Sequence, residues 1–163
     1  MEKQLTNLNL KRANLTEVDF SHTVIQNVNL FGGDLTQVNL SHARLTDVKL
    51  RMAIARSALF SNAVLSEVDL TLAAMDDADF ICADLAGVNF TDADLAGVNF
   101  KYATLTNVKS PRAHLTGANF SNATLTDVDF TDADLTGANF TDADLTNVNF
   151  ENSDLAGVIG LDR

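Results

Sequence analysis

The sequence predicts an all-β solenoid, a quadrilateral parallel β-helix of about eight four-sided coils, built as a single domain over residues 1–163. Large apolar residues recur every five positions, small residues recur two positions earlier, and Leu alternates with Phe in the later large slots. From Leu5 to Leu155 every residue whose number is divisible by five is apolar, with Ser110 the one polar occupant among 31 slots. From position 8 to 158, 27 of the 31 residues standing two earlier are Ala or Val, the exceptions being Leu8, Thr23, Gly33 and Ser153. Nothing is inserted or deleted anywhere in this register.

A period of five fits neither standard element running straight. On an α-helix at ~100° per residue, the apolar residues would wind around every face. On a flat strand an odd period would send alternate units to opposite faces. Both conflicts vanish if the chain turns once per unit. The small and the large residue then point inward two apart, one polar residue between them points outward, and the remaining two make a corner. Units such as "ADLTG" and "ANFTD" suit this, because Asp, Asn, Gly, Ser and Thr accept tight turns.

The Leu and Phe alternation sets the number of sides. With three sides, successive coils would stack Leu over Phe. With four, Phe60, Phe80, Phe100, Phe120 and Phe140 form one column of equal side chains. Twenty residues per coil follow, and eight coils at the ~4.8 Å strand spacing make a rod about 38 Å long.

The tandem A(D/N)LXX units, as in "ADLAGVNFTDADLAGVNF", resemble the pentapeptide-repeat family over residues 4 to 158. The resemblance implies a right-handed quadrilateral β-helix, in line with the four sides inferred above, and a non-enzymatic role. It also implies a specific partner class. A subset of the family resembles B-form DNA in shape and charge, binds DNA gyrase or topoisomerase IV, and protects it from quinolones.

Charge narrows the function independently. Eleven basic against 22 acidic residues leave a net charge of −11, which argues against nucleic acid or an anionic membrane as a direct partner and for a protein partner. Residues 113–162 hold Asp127, Asp129, Asp132, Asp134, Asp142, Asp144, Glu151, Asp154 and Asp162 with no Lys or Arg. Those two and a half coils span about 12 Å, over which duplex DNA carries about seven charges. The first eight of these acids are therefore the candidate partner-binding surface, and a type II topoisomerase is the concrete candidate partner. Residues 67–99 form a second acidic block. The sign reverses at Arg44, Lys49, Arg51 and Arg56; with Met52, these residues form a candidate secondary patch, since Arg and Met are enriched in interface cores. The segment Lys109, Ser110, Pro111 and Arg112 forms an irregular rung: Ser110 leaves a gap and a hydroxyl needing a partner, and Pro111, the single proline, is expected to remove one ladder N–H.

The remaining candidates concern chemistry and assembly. His114 has Asp94 and Asp134 as column neighbours. His22 and His42 share a column with Asn62, Cys82 and Tyr102, yet Cys82 lies two rungs past His42, about 9–10 Å along the axis. Zinc bonds of about 2 Å cannot bridge that separation, so no metal or other cofactor is expected. No nucleophile with a base and an orienting partner can be assembled from the columns. Val158, Ile159 and Leu161 cluster at the last coil, where an end-to-end homodimer would hide an open strand edge. The lone Cys82, a start without a signal-peptide core and the absence of an ~18-residue apolar run point to the cytoplasm, with no membrane partner.

Overall fold

A computed structural model describes residues 3–161. One side of the coil is recognisable β-strand: β1 (Lys3–Thr6), β2 (Thr23–Gln26), β3 (Arg44–Thr46), β4 (Val64–Ser66), β5 (Asp84–Ala86), β6 (Thr104–Thr106), β7 (Thr124–Thr126) and β8 (Asp144–Thr146). They stack in chain order into an eight-stranded parallel sheet, each residue pairing with the one twenty later, as in Leu45 with Leu65. The other three sides are ladders of single parallel bridges with the same offset, through Asn29 and Lys49, Ile54 and Ala74, and Leu59 and Asp79. A rung is therefore twenty residues with four sides, as the alternation predicts. The sides are numbered first to fourth from the outward residues 4, 9, 14 and 19 of each rung.

The core is one column of stacked rungs. From Ile25 to Phe140 every large-slot residue except Ser110 is a buried hydrophobe, and the small Ala and Val residues beside them are almost fully buried. Phe60 and Phe80 stack with ring centroids 4.5 Å apart and planes 3° from parallel, and Phe100, Phe120 and Phe140 continue the column. On the adjacent corner Phe90, Phe130 and Phe150 meet that column edge-on, for example Phe120 to Phe130 at 5.6 Å and 70°. Each buried Phe or Leu contributes about 1.5–3 kcal/mol of transfer free energy, with offset and edge-to-face ring contacts adding to it.

Corners share one backbone feature all along the chain. Every residue whose number ends in 2 or 7, from Asn7 to Gly157, has a φ between +51° and +69°. At the corners after the second, third and fourth sides the next residue donates its N–H back to the carbonyl three before, as Ala53 does to Leu50 at 2.9 Å. This is the φ pattern of a type II turn, positive at its third residue. Asn, Asp and Gly tolerate it, whereas Leu72 and Met52 hold it against a steric cost of order 1 kcal/mol.

Backbone hydrogen bonds explain the outward Asp or Asn. In the unit that ends at Gly33, the amides of Asn29, Leu30, Gly32 and Gly33 are the four that find carbonyl partners, in the neighbouring rungs or within the turn. The fifth, at the first corner residue, points at no carbonyl on three of the four sides. Where the outward residue two earlier is Asp or Asn, its side chain takes this amide: Phe31 N–H donates to Asn29 Oδ1 at 3.1 Å, Ser121 to Asn119 at 3.0 Å and Thr136 to Asp134 at 3.0 Å. On the first side, where Val and Thr replace most Asp and Asn, the strand instead runs one residue further, to Thr46 or Thr106.

This accounting corrects the reading of Pro111. Its missing N–H is a corner amide of the kind elsewhere capped by a side chain, as Thr131 N–H is by Asp129 at 3.0 Å, and is not a ladder amide. Lys109 at the capping position has no acceptor to offer, so acceptor and donor are lost together. Pro also prefers the second position of a type II turn. Its carbonyl still accepts from Asp92 at 3.1 Å, and Ser110 N–H still reaches Asp129 at 2.8 Å. Among the described residues no fully buried side-chain polar atom lacks a hydrogen-bond partner. The defect of this rung is packing: Ser110, 2% exposed, interrupts the column between Phe90 and Phe130.

Two stability measurements follow. Ser110→Phe restores the column and raises the melting temperature in a thermal scan. Asn119→Ala, which strips the acceptor from Ser121 N–H, lowers stability by about 1 kcal/mol, while Asn119→Asp keeps the acceptor and leaves stability nearly unchanged.

Candidate functional site

The eight C-terminal acids do not form one flat face. Asp144 lies on the first side, Asp129 on the second, and Asp134 and Asp154 are bridge partners on the third. Asp127, Asp132 and Asp142 occupy corners with positive φ, and Glu151 is the first residue of a corner. The fourth side carries Asn119, Asn139 and then Ile159. The acids thus form a collar around three sides. Asp162 lies outside the described residues.

The side acids are fixed more firmly than solvated carboxylates usually are. Asp129 accepts from Thr131 N–H at 3.0 Å and from the Thr131 hydroxyl at 2.5 Å. Asp134 accepts from Thr136 N–H and, through its second oxygen, from the Thr116 hydroxyl at 3.0 Å. Asp154 caps Ala156 N–H at 3.0 Å. Carboxylate direction is set by the turn, so the collar is preorganised.

The third side also bears the His114 cluster that column stacking anticipates. His114 Nδ1 is 3.2 Å from Asp94 Oδ1 and Nε2 is 3.6 Å from Asp134 Oδ2, with the Thr116 hydroxyl 2.9 Å from Nε2. One corner away, Arg112 makes a bidentate pair with Asp92 at 2.7 and 2.8 Å. Arg112 on the irregular rung is thus spoken for, while Lys109 makes no ion pair among the described residues. Sequence reasoning missed the Asp92–Arg112 pair, although the twenty-residue offset between the two was available to find it.

The secondary patch is divided by the corners. Arg44 stands on β3, Lys49 on the second side, Arg51 and Met52 on the next corner, and Arg56 beyond the third side, paired to Asp76 at 2.8 Å. Lys49 and Arg51 line a shallow groove of about 220 Å³ with Lys11, Asn29, Phe31 and Asp69. Exposed apolar residues gather beside it: Met52 at 51%, Leu72 at 44% and Ile54 at 37%. Val158, Ile159 and Leu161 sit on the last rung, with Ile159 56% exposed. His22 and His42 stack at 4.7 Å between centroids and 3° between planes, and Cys82 is exposed two rungs beyond.

Hydrogen bonding holds several carboxyls below the usual carboxylate range. Asp134 is lowered by the Thr136 amide and hydroxyl, then by Thr116 and His114. Asp34 is lowered by the Thr36 hydroxyl and amide, Asp19 by those of Ser21, and Asp92 by hydrogen bonds from Arg112. A carboxyl with a lowered folded pKa contributes stability that is present above the unfolded value of about 3.9 and lost as pH falls through the folded value. The melting temperature therefore declines as pH is taken below about 4, and Asp134→Asn, which keeps the turn acceptor without the titration, flattens that decline. A wild-type melting temperature unchanged down to pH 2.5 would contradict the assignment.

The comparisons with known proteins converge on the repeat. Residues 83–159 match the family described as pentapeptide repeat region, and residues 4–41, 25–62 and 43–80 match pentapeptide repeats (8 copies). No curated protein matches the chain. Among solved structures, full-length QnrB1, a plasmid-mediated fluoroquinolone resistance protein, shares 18% identity over 95% of this chain and 92% of its own, with a TM-score of 0.55. HetL, a pentapeptide repeat protein involved in heterocyst differentiation regulation from the cyanobacterium Nostoc sp. strain PCC 7120, shares 26% over 97% of this chain and 87% of its own, with a TM-score of 0.40. Rfr23 from the cyanobacterium Cyanothece 51142 shares 19% over 97% and 88%, with a TM-score of 0.46. Between the tandem period, the four-sided coil and these matches, the chain belongs to the pentapeptide-repeat family.

Proposed function

We propose that the protein is a non-enzymatic interaction scaffold that presents a rigid, acidic β-helical surface to a protein partner. The observation that carries this reading is the collar: eight carboxylates on the C-terminal coils, uncompensated by any Lys or Arg from residue 113 to 161, several of them aimed by turn hydrogen bonds. Preorganised charge gives up little conformational entropy on binding and steers a basic partner. A cytoplasmic setting suits the exposed, unpaired Cys82. End-to-end pairing of two copies through Val158, Ile159 and Leu161 belongs to the same proposal.

A second reading makes the partner a type II topoisomerase, with the rod in the place of DNA. Its support is charge density, eight acids where about 12 Å of duplex carries about seven charges. The collar covers three sides, as a groove enclosing a cylinder requires. A fluoroquinolone resistance protein shares the fold.

Supercoiling by purified gyrase, with and without a quinolone, tests both. Under the second reading, micromolar protein inhibits supercoiling or restores it in the presence of drug. The variant carrying Asp129→Asn, Asp132→Asn, Asp134→Asn and Asp154→Asn, in which every turn acceptor remains, loses that effect at least tenfold. No effect of the wild-type protein on gyrase or topoisomerase IV removes the DNA-mimic reading. A partner retained equally by the wild type and the Asn variant removes the acidic-surface reading.

A further inference from the structure

After Asn9, the outward residues of the second side run Asn29, Lys49, Asp69, Asn89, Lys109, Asp129 and Asn149, each bridged to the next. Read backwards, this series becomes Asn, Asp, Lys, Asn, Asp, Lys, Asn: every Lys is exchanged for an Asp and every Asn stays an Asn. A series with that property is complementary to itself under a two-fold axis through its middle member. The other bridged ladders lack it. The third side runs Asn14, Asp34, Ile54, Ala74, Asp94, His114, Asp134, Asp154, and the fourth runs Asp19, Asn39, Leu59, Asp79, Asn99, Asn119, Asn139, Ile159 without a cation.

We infer that the second side is a self-recognition surface, on which a second copy of this chain lies side by side and antiparallel, centred on Asn89. An axis lying between the two rods and perpendicular to them puts the same column opposite itself with the rung order reversed. Lys49 then faces Asp129 of the second copy, Asp69 faces Lys109 of the second copy, and Asn89 faces its own equivalent. Symmetry doubles these to four Lys–Asp contacts on a strip from rung 3 to rung 7, about 19 Å long at the strand spacing. This register leaves only Asn9 without a counterpart, whereas any other on this side sets Lys against Lys or Asp against Asp, or lets more of the ladder overhang. The isologous contact closes at two copies.

Three further observations favour this occupant. Neither Lys49 nor Lys109 is within ion-pair distance of a carboxylate in its own chain, among the described residues. Asp69 and Asp129 each use Oδ1 to cap a corner amide, at 3.0 Å, leaving the second oxygen for an outside cation. The strip from Asn29 to Asn149 also balances two Lys against two Asp on a chain of net charge −11, so two acidic copies meet there on a neutral face. Beside its centre lies a groove of about 590 Å³ lined by Glu67, Val68, Asp69, Gly87, Asn89, Asn107 and Lys109. The Glu67 carboxylate lies directly over Gly87, where a Cβ, at φ +65°, would stand 2.3 Å from Glu67 Oε1. In the antiparallel register Lys109 of the second copy points into this groove, toward Glu67 and Asp69.

The test uses the full chain in low salt at about 100 μM by sedimentation equilibrium. Wild type is expected to populate a dimer. Lys49→Asp with Lys109→Asp, and separately Asp69→Lys with Asp129→Lys, each weaken self-association at least tenfold. An equimolar mixture of the two variants restores a heterodimer, because the all-acidic ladder then faces the all-basic one. Lysine already stands in this column twice, and circular dichroism checks that each variant folds. In a Cys82→Ser background, Asn89→Cys forms a disulfide-linked dimer under mild oxidation, whereas Asn149→Cys does not pair with itself. A wild type that stays monomeric, charge-reversed variants that still dimerise, or a mixture that does not recover would each overturn the inference. A dimer lost on Ile159→Asp and untouched by charge reversal would assign association to the rod end instead. The gyrase assay with the Asn variant is read separately, so failure here leaves the acidic-surface reading standing.

Discussion

The fifth amide of each unit is the constraint on which the rest of this structure depends. A chain that turns a corner every five residues can place four of its N–H groups on carbonyls of its own turn or of adjacent rungs. The remaining one would be stranded at the corner. Buried or half-buried amides without partners cost on the order of 1–3 kcal/mol each, and such a corner follows three of the four sides of every rung. An Asp or Asn two residues earlier removes the problem by folding its side-chain oxygen over the corner. The motif's outward acid is therefore a structural device first, and any function in recognition is built upon it.

That dual role separates charge from architecture. Asp and Asn cap the corner equally well, as Asp134 and Asn139 do on Thr136 and Thr141. The choice between them is free to record electrostatics, and the C-terminal coils, where Asp, Asn and Thr occupy nearly every outward position, record a negative one. The corners add a second layer, since positive φ also favours Asn, Asp and Gly. Where neither device is present, at Lys109 and Pro111, the chain gives up the acceptor and the donor together and the rung stays in register.

Much of this was legible in the sequence because the fold is nearly one-dimensional: with a fixed offset of twenty, a contact is a subtraction. His114 between Asp94 and Asp134, and the stacking of His22 on His42, can be read that way. What was not legible lies around the coil rather than along it. Grouping acids by stretches of chain suggested a single surface, yet five consecutive residues span a whole side and corner, so Asp127 to Asp134 wrap over two sides. The role of Pro111 was misjudged for a related reason, because which amide belongs to the ladder depends on the turn geometry. The self-complementary ladder of the second side needed both coordinates.

The stacked phenylalanines bear on how the chain finds its register. A strict period of five leaves a slip by one whole side almost isoenergetic at the level of the pattern, because large still falls on large and small on small. What breaks that degeneracy is the difference between Leu and Phe. From Phe80 to Phe150 a slip by five would press rings against aliphatic columns and dismantle the stacks. Between Leu30 and Leu50 every large slot is Leu, and the same slip changes little. The C-terminal coils thus hold the information that counts the residues per turn, and the more uniform N-terminal coils take their register by continuing it.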